Sequence, residues 1–129
     1  MSLALLAERL GSDVVVTSEA ERRSRVLDLW PQALGWGPEE TSRRVPPAVL
    51  LPRSEEEAAA CLAWAREEGA RLVIRGAGSG GVGAAIPEPG ALVLDSSRLV
   101  GRVELLEGPE PAAIVSAGWR GGELERKLN

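Results

Sequence analysis

The sequence contains no histidine, no tyrosine, no phenylalanine and a single cysteine, Cys61. Without histidine, neither a Ser-His-Asp nor a Cys-His couple can form, and the commonest zinc sites lose a main ligand. One cysteine permits no internal disulfide, which points to a reducing compartment; a cytoplasmic location is expected. Cys61 lies in an apolar helical run and reads as a buried structural thiol rather than a nucleophile. No apolar run approaches the ~20 residues that span a bilayer. The acidic Glu8 and the lack of a basic stretch near the start argue against a secretory leader. Positive charge is also scarce, with 15 basic against 19 acidic residues. A nucleic-acid partner would favour a basic face, so none is expected. The Arg22-Arg23 and Arg43-Arg44 pairs read as solvated surface.

What remains suits one soluble domain. The chain has 129 residues, 44% of them hydrophobic and 26% charged, enough to bury a core. Residues 2–10 show helical spacing at Leu3, Leu6, Ala7 and Leu10, with Gly11 as the stop. Val14-Val15-Val16 suits a brief strand. Ser18 predicts an N-cap for a helix from Glu19 to about Leu29, with Val26, Leu27 and Trp30 on its face and Pro31 ending it. The prolines and glycines of residues 31–47 predict a long irregular connection. A boundary near Val45 divides an N-terminal helical extension and connecting segment, 1–45, from the main unit, 46–129.

The main unit reads more regularly. Ala48 to Leu51 is a strand closed by Pro52. Ser54 and Glu57 form a capping box for a helix that carries Ala58, Cys61, Leu62 and Ala65 on one face and ends at Gly69. Strands are expected at Leu72–Ile74, Ala91–Asp95, Val103–Leu106 and Ala112–Ala117, and a helix from Glu123. The fold class is α+β, a small parallel or mixed sheet flanked by helices. The later strands suit an antiparallel extension of it.

Directly after the strand ending at Ile74 comes Arg75-Gly76-Ala77-Gly78-Ser79-Gly80-Gly81-Val82-Gly83. Backbone without Cβ atoms can take positive φ and aim several N–H groups at one anion, and a pyrophosphate is the natural guest. Gly76-x-Gly78-x-x-Gly81 matches the Rossmann fingerprint only formally. That loop must open a helix, and Pro87, Pro89 and Gly90 forbid one here. No Gly-Lys-Ser/Thr follows, so the Walker loop fails too. The loop must bind with backbone amides and without a helix behind it.

Four ordered patterns carry a resemblance. They are Pro47-Ala48-Val49-Leu50-Leu51-Pro52-Arg53-Ser54, the stretch from Ala70 through Gly80, Leu92-Val93-Leu94-Asp95-Ser96-Ser97-Arg98-Leu99, and Ala117-Gly118-Trp119 running to Leu124. Residues 46–129 thereby resemble the N-terminal part of the FAD-binding domain of the vanillyl-alcohol oxidase and p-cresol methylhydroxylase (PCMH) superfamily. Within it the likeness is to the FAD-linked glycolate oxidase subunit, D-lactate dehydrogenases and alkylglycerone-phosphate synthase. The resemblance implies a flavoprotein oxidoreductase, with FAD as cofactor and a 2-hydroxy acid such as glycolate or D-lactate as substrate. It implies that Arg75, Gly76, Ala77, Gly78, Ser79, Gly80 and Gly81 hold the pyrophosphate, Ser79 adding a hydroxyl. Pro52 would line the adenine side, and Ala117 and Gly118 would pass close to the cofactor. Some members tether flavin through a histidine, in one branch at the position matching Ser79. This chain has none, so a non-covalent FAD is expected.

The resemblance stops at Asn129, early in a helix. The expected partners are therefore FAD and further flavin- and substrate-binding domains, on this polypeptide or a partner chain. No catalytic residue is assigned. The alternative reading is an inert fragment or self-associating module, a homodimer, that does not hold FAD alone. Other candidates read structurally. Trp64 suits packing, Asp95 a turn cap, and Glu55, Glu56 and Glu57 a helix start. Two stay open: Arg75 between phosphate and a surface carboxylate, and Trp119 between packing and cofactor contact.

Overall fold

Leu92 to Asp95 is a wholly buried run of four, and such a run belongs at the centre of a sheet. A computed structural model describes residues 3–129 and places it there. Strands β1 (Val15–Val16), β2 (Val49–Leu50), β3 (Leu72–Arg75) and β4 (Leu92–Asp95) lie in the order β1-β2-β4-β3. β4 runs parallel to both β2 and β3, and β1 pairs antiparallel with β2. Alternation along the strands makes two apolar faces. Leu50, Leu92 and Leu94 pack with Leu6, Cys61, Trp64 and Ala65, whereas Val49, Leu51 and Val93 form a second cluster. The first face is covered by helix α1 (Leu3–Leu10) and by α5 (Glu55–Glu67). Residue 2 of the expected first helix lies outside the described residues.

α5 begins as its capping box predicts. Ser54 Oγ accepts the Glu57 N–H at 3.2 Å. The return arm differs, because Glu57 accepts from the Arg53 amide at 2.7 Å instead of from the cap's own amide. The inward face also differs from expectation. Cys61, Trp64 and Ala65 are buried, while Leu62 is 51% exposed. A stripe at i, i+3, i+4 starting from Cys61 turns Leu62 about 100° away from the sheet.

The N-terminal third departs most from the sequence reading. Helix α2 spans Glu19–Arg23 and does not continue to Leu29; Ser18 makes no side-chain cap. The backbone of residues 27–30 is used elsewhere: Leu27 O accepts from Arg75, and the Leu29 N–H donates to Gly80 O. Those long-range bonds displace the i→i−4 ladder. Pro31 ends nothing. It opens α3 (Pro31–Leu34), and Pro38 opens α4 (Pro38–Arg43), each at the first turn, where a missing N–H costs nothing. Residues 31–47 are thus two short helices, not an irregular run. They are pinned by an edge-to-face Trp30–Trp36 pair with 5.9 Å between centroids and by Arg44 stacked 4.5 Å over Trp36.

Strands β5 (Val103–Leu106) and β6 (Ala112–Val115) pair antiparallel, Val103 opposite Val115, and make a separate two-stranded sheet. They do not extend the first sheet. Leu105, Leu106, Ile114 and Val115 on this hairpin are all exposed. Helix α6 (Gly121–Leu128) follows and starts two residues earlier than expected. Among the described residues no helix is long and apolar enough to cross a membrane.

Candidate functional site

β3 and β4 end side by side, with Arg75 opposite Asp95 as the last pair in register. Carboxyl ends of parallel strands are where such sheets hold ligands. A cavity of about 280 Å³ opens there. Arg75, Gly76 and Ala77 leave β3 into its wall, and Asp95, Ser96 and Ser97 leave β4 into it. The turn after β6 adds Ala117, Gly118, Trp119 and Arg120, and the end of α2 adds Ser24 and Arg25.

Local chemistry explains how these pieces meet. Asp95 is buried and caps the 3-10 turn Ser96–Arg98, its Oδ1 accepting the Ser97 N–H at 2.8 Å. Its Oδ2 accepts from Arg25 Nε at 3.0 Å, which ties α2 to the site. Arg25 also pairs with Glu21. Strand β6 stops at Val115, short of the expected Ala117, so that residues 116–118 can fold back on this turn. Gly118 N donates to Leu99 O at 2.8 Å, and Ser96 Oγ donates to Ala117 O at 3.2 Å. The approach is close enough to require glycine: a Cβ on Gly118 would stand 2.6 Å from Ser96 O.

The glycine loop continues outward from the cavity. Gly76, Ala77, Ser79, Gly80 and Gly81 are exposed. Among the described residues, the amides of residues 76–81 donate to no acceptor of the chain. Free donors on a backbone of small residues are what a pyrophosphate needs. Gly78 takes φ +69°, and the side a Cβ would occupy is filled by the Arg75 guanidinium, 2.0 Å from that position.

Arg75 does not meet a surface carboxylate. It is buried and donates to Leu27 O at 2.9 Å and Ala85 O at 3.4 Å. Burial lowers its pKa below the ordinary arginine value; Arg25 pushes the same way, while Asp95 and Asp28 oppose. Its charge lies under the loop, where it attracts an anion on the outer side.

Of the ten residues expected at the cofactor, the cavity gathers Arg75, Gly76, Ala77, Ala117 and Gly118. Gly78, Ser79, Gly80 and Gly81 lie on the adjoining loop, outside the cavity wall. Pro52 is fully buried and forms no part of the cavity wall. Trp119 lines the cavity, yet its Nε1 is buried and has no partner. Ser24, Arg25 and Arg120 carried no sequence signal as site residues. Ser96 and Ser97 were visible only as a turn. The residues present fit the anionic middle of a dinucleotide, with free amides, three serines and buried positive charge together. No cluster of three or more metal-ligating side chains exists among the described residues.

A mixed sheet with a glycine loop at its parallel carboxyl ends, and no helix behind that loop, defines a cofactor domain of non-Rossmann type. The family model described as "FAD binding domain" matches residues 46–129. The chain therefore belongs to the FAD-binding domain family, whose cofactor is FAD. Solved structures agree on the fold. Two crystal forms of alkyldihydroxyacetonephosphate synthase are 23% identical over 98% of this chain, with TM-scores of 0.76 and 0.77. p-Cresol methylhydroxylase with substrate bound is 17% identical over 98%, with a TM-score of 0.73. The chain covers 24%, 26% and 23% of those chains, about a quarter of their length. No curated protein sequence matches it.

Proposed function

We propose that this chain is the pyrophosphate-holding part of a flavin-dependent oxidoreductase. The observation that carries the reading is the meeting of Gly76 and Ala77 with Ala117 and Gly118 at the carboxyl ends of β3 and β4, beside a loop whose amides are free. The amides of Gly76, Ala77, Gly78, Ser79, Gly80 and Gly81 hold the diphosphate, and Ser79 Oγ adds a donor. Buried Arg75 offsets the charge, and Ala117 and Gly118 bound the cofactor's other side. With no histidine in it, this chain holds FAD without a histidyl tether of its own.

FAD, when bound, accepts a hydride from a carbon bearing a hydroxyl group. The substrate we favour is a 2-hydroxy acid such as glycolate or D-lactate, on the resemblance of the loop and its flanking strands to those enzymes. The exposed apolar hairpin supports further flavin- and substrate-binding domains, on the same polypeptide or a partner chain, that cover this side and supply the reacting groups. The test is to purify the full-length protein and record its visible spectrum, then titrate added FAD. Flavin absorbance that is released by denaturation is expected. A colourless protein that takes up no FAD overturns the reading.

A further inference from the structure

We infer that Asp28 is the positioning residue of the glycine loop, acting through a clamp of residues 27–30; this rests on the loop being the diphosphate site. These residues lie outside the region matched to the FAD-binding family, yet they grip the loop along its length. Leu27 O accepts from Arg75 Nη2 at 2.9 Å, which holds the guanidinium beneath Gly78. The Leu29 N–H donates to Gly80 O at 2.9 Å. The Trp30 ring lies against Gly83, where a Cβ would stand 2.8 Å from Cε3.

Asp28 ties these contacts together. It is 3% exposed, and its Oδ1 accepts the Trp30 N–H at 2.9 Å, which sets the turn that aims Leu29 and Trp30 at the loop. Its Oδ2 is buried without a partner, and the nearest atom to a Cβ built on Gly80 is this oxygen, at 3.9 Å. An unpaired buried acceptor is costly and seldom kept without a use. Here it lies under the mid-point of a segment with five glycines in eight residues, a segment with much backbone entropy to lose. Fixing the loop from below leaves the outer amides free and relieves the ligand of the ordering cost.

The test compares the full-length protein with its Asp28→Ala, Asp28→Asn and Trp30→Ala variants. The first readout is 15N relaxation of the amides of residues 76–83; the second is FAD affinity by flavin fluorescence. In the unaltered chain, order parameters near the rigid value of about 0.85 are expected, falling below about 0.6 in D28A. Those of β4 and α5 should stay constant. FAD affinity should fall about tenfold or more, the factor carried by one charge-assisted hydrogen bond. D28N keeps an oxygen for the Trp30 N–H and should recover most of both. W30A removes the Gly83 contact together with the edge-to-face pair to Trp36, and carries the same expectation should D28A fail to fold. Unchanged order parameters in D28A and W30A overturn the clamp. A loosened loop with unchanged FAD affinity overturns its role toward the cofactor. An unaltered full-length protein that binds no FAD overturns the diphosphate reading instead, and the relaxation data still decide the clamp.

Discussion

Replacing Gly118 with alanine tests whether the cavity depends on one close backbone approach. The new Cβ would lie 2.6 Å from Ser96 O, 2.7 Å from Leu99 O and 2.8 Å from Leu99 C. All three are backbone atoms, so no side chain can swing away. Relief requires the 116–118 turn to move off the Ser96–Arg98 turn. That breaks the Gly118 N to Leu99 O bond at 2.8 Å and the Ser96 Oγ to Ala117 O bond at 3.2 Å. Overpacking costs about 1–3 kcal/mol, and each of the two lost bonds adds about 0.5–1.5 kcal/mol, so the turn loses about 2–6 kcal/mol. At about 4 °C per kcal/mol, thermal unfolding should fall by about 8–24 °C. Because Ala117 and Gly118 form one wall of the cavity, FAD affinity should drop by about tenfold as well. Gly121→Ala is the matched control. A Cβ there meets nothing within 4 Å at the start of α6, so stability should hold or rise by up to about 1 kcal/mol. Scanning calorimetry and a flavin titration read both effects. A G118A melting point within about 2 °C of the unaltered chain refutes the steric argument. An equal drop in G121A shows that the effect is not steric.

Three further expectations follow from single groups. Ser79 is exposed and makes no hydrogen bond among the described residues, so Ser79→Ala should leave melting unchanged and weaken FAD about two- to tenfold, as isothermal titration would show. Burial, with help from Glu57, pushes the Cys61 thiol up to about 11, so a thiol reagent at about pH 8 should label the native chain far more slowly than the urea-unfolded one. Comparable rates would show an accessible thiol. Hydrogen bonding from Arg53 holds Glu57 below the ordinary carboxylate value, and Arg43 and Arg44 do the same for Glu40. A depressed folded value means stability that is complete above the unfolded value of about 4.3 and lost as pH falls through the folded one. Urea midpoints should therefore be flat from about pH 7 to pH 5 and decline below it, less steeply in Glu57→Gln.

Much of the main unit follows from local pattern. The strand at Leu92, the Ser54 cap and the strand at Val103 follow from short apolar runs bounded by turn residues and from side-chain capping, which act over a few residues. The glycine loop was readable for the same reason, since its composition restricts what the backbone there can do. Pro87 and Pro89 excluded a helix behind it without reference to any distant residue. The absence of histidine likewise means that no histidyl flavin link can come from these 129 residues.

Distant contacts decided the rest. Residues 24–29 carry a helical pattern, but Arg75 and Gly80 claim their backbone groups, and a hydrogen bond across about 50 residues leaves no periodic trace. Leu62 and Trp64 stand two residues apart on α5, and only the position of the sheet determines which of them is buried. Arg25 joins the cavity because Asp95, 70 residues away, accepts its Nε. The sequence alone therefore determined that a glycine loop able to cradle an anion follows a strand. Only the tertiary structure decided which residues face that loop, because a folded wall is built from segments whose separation along the chain sets no limit on their contact in space.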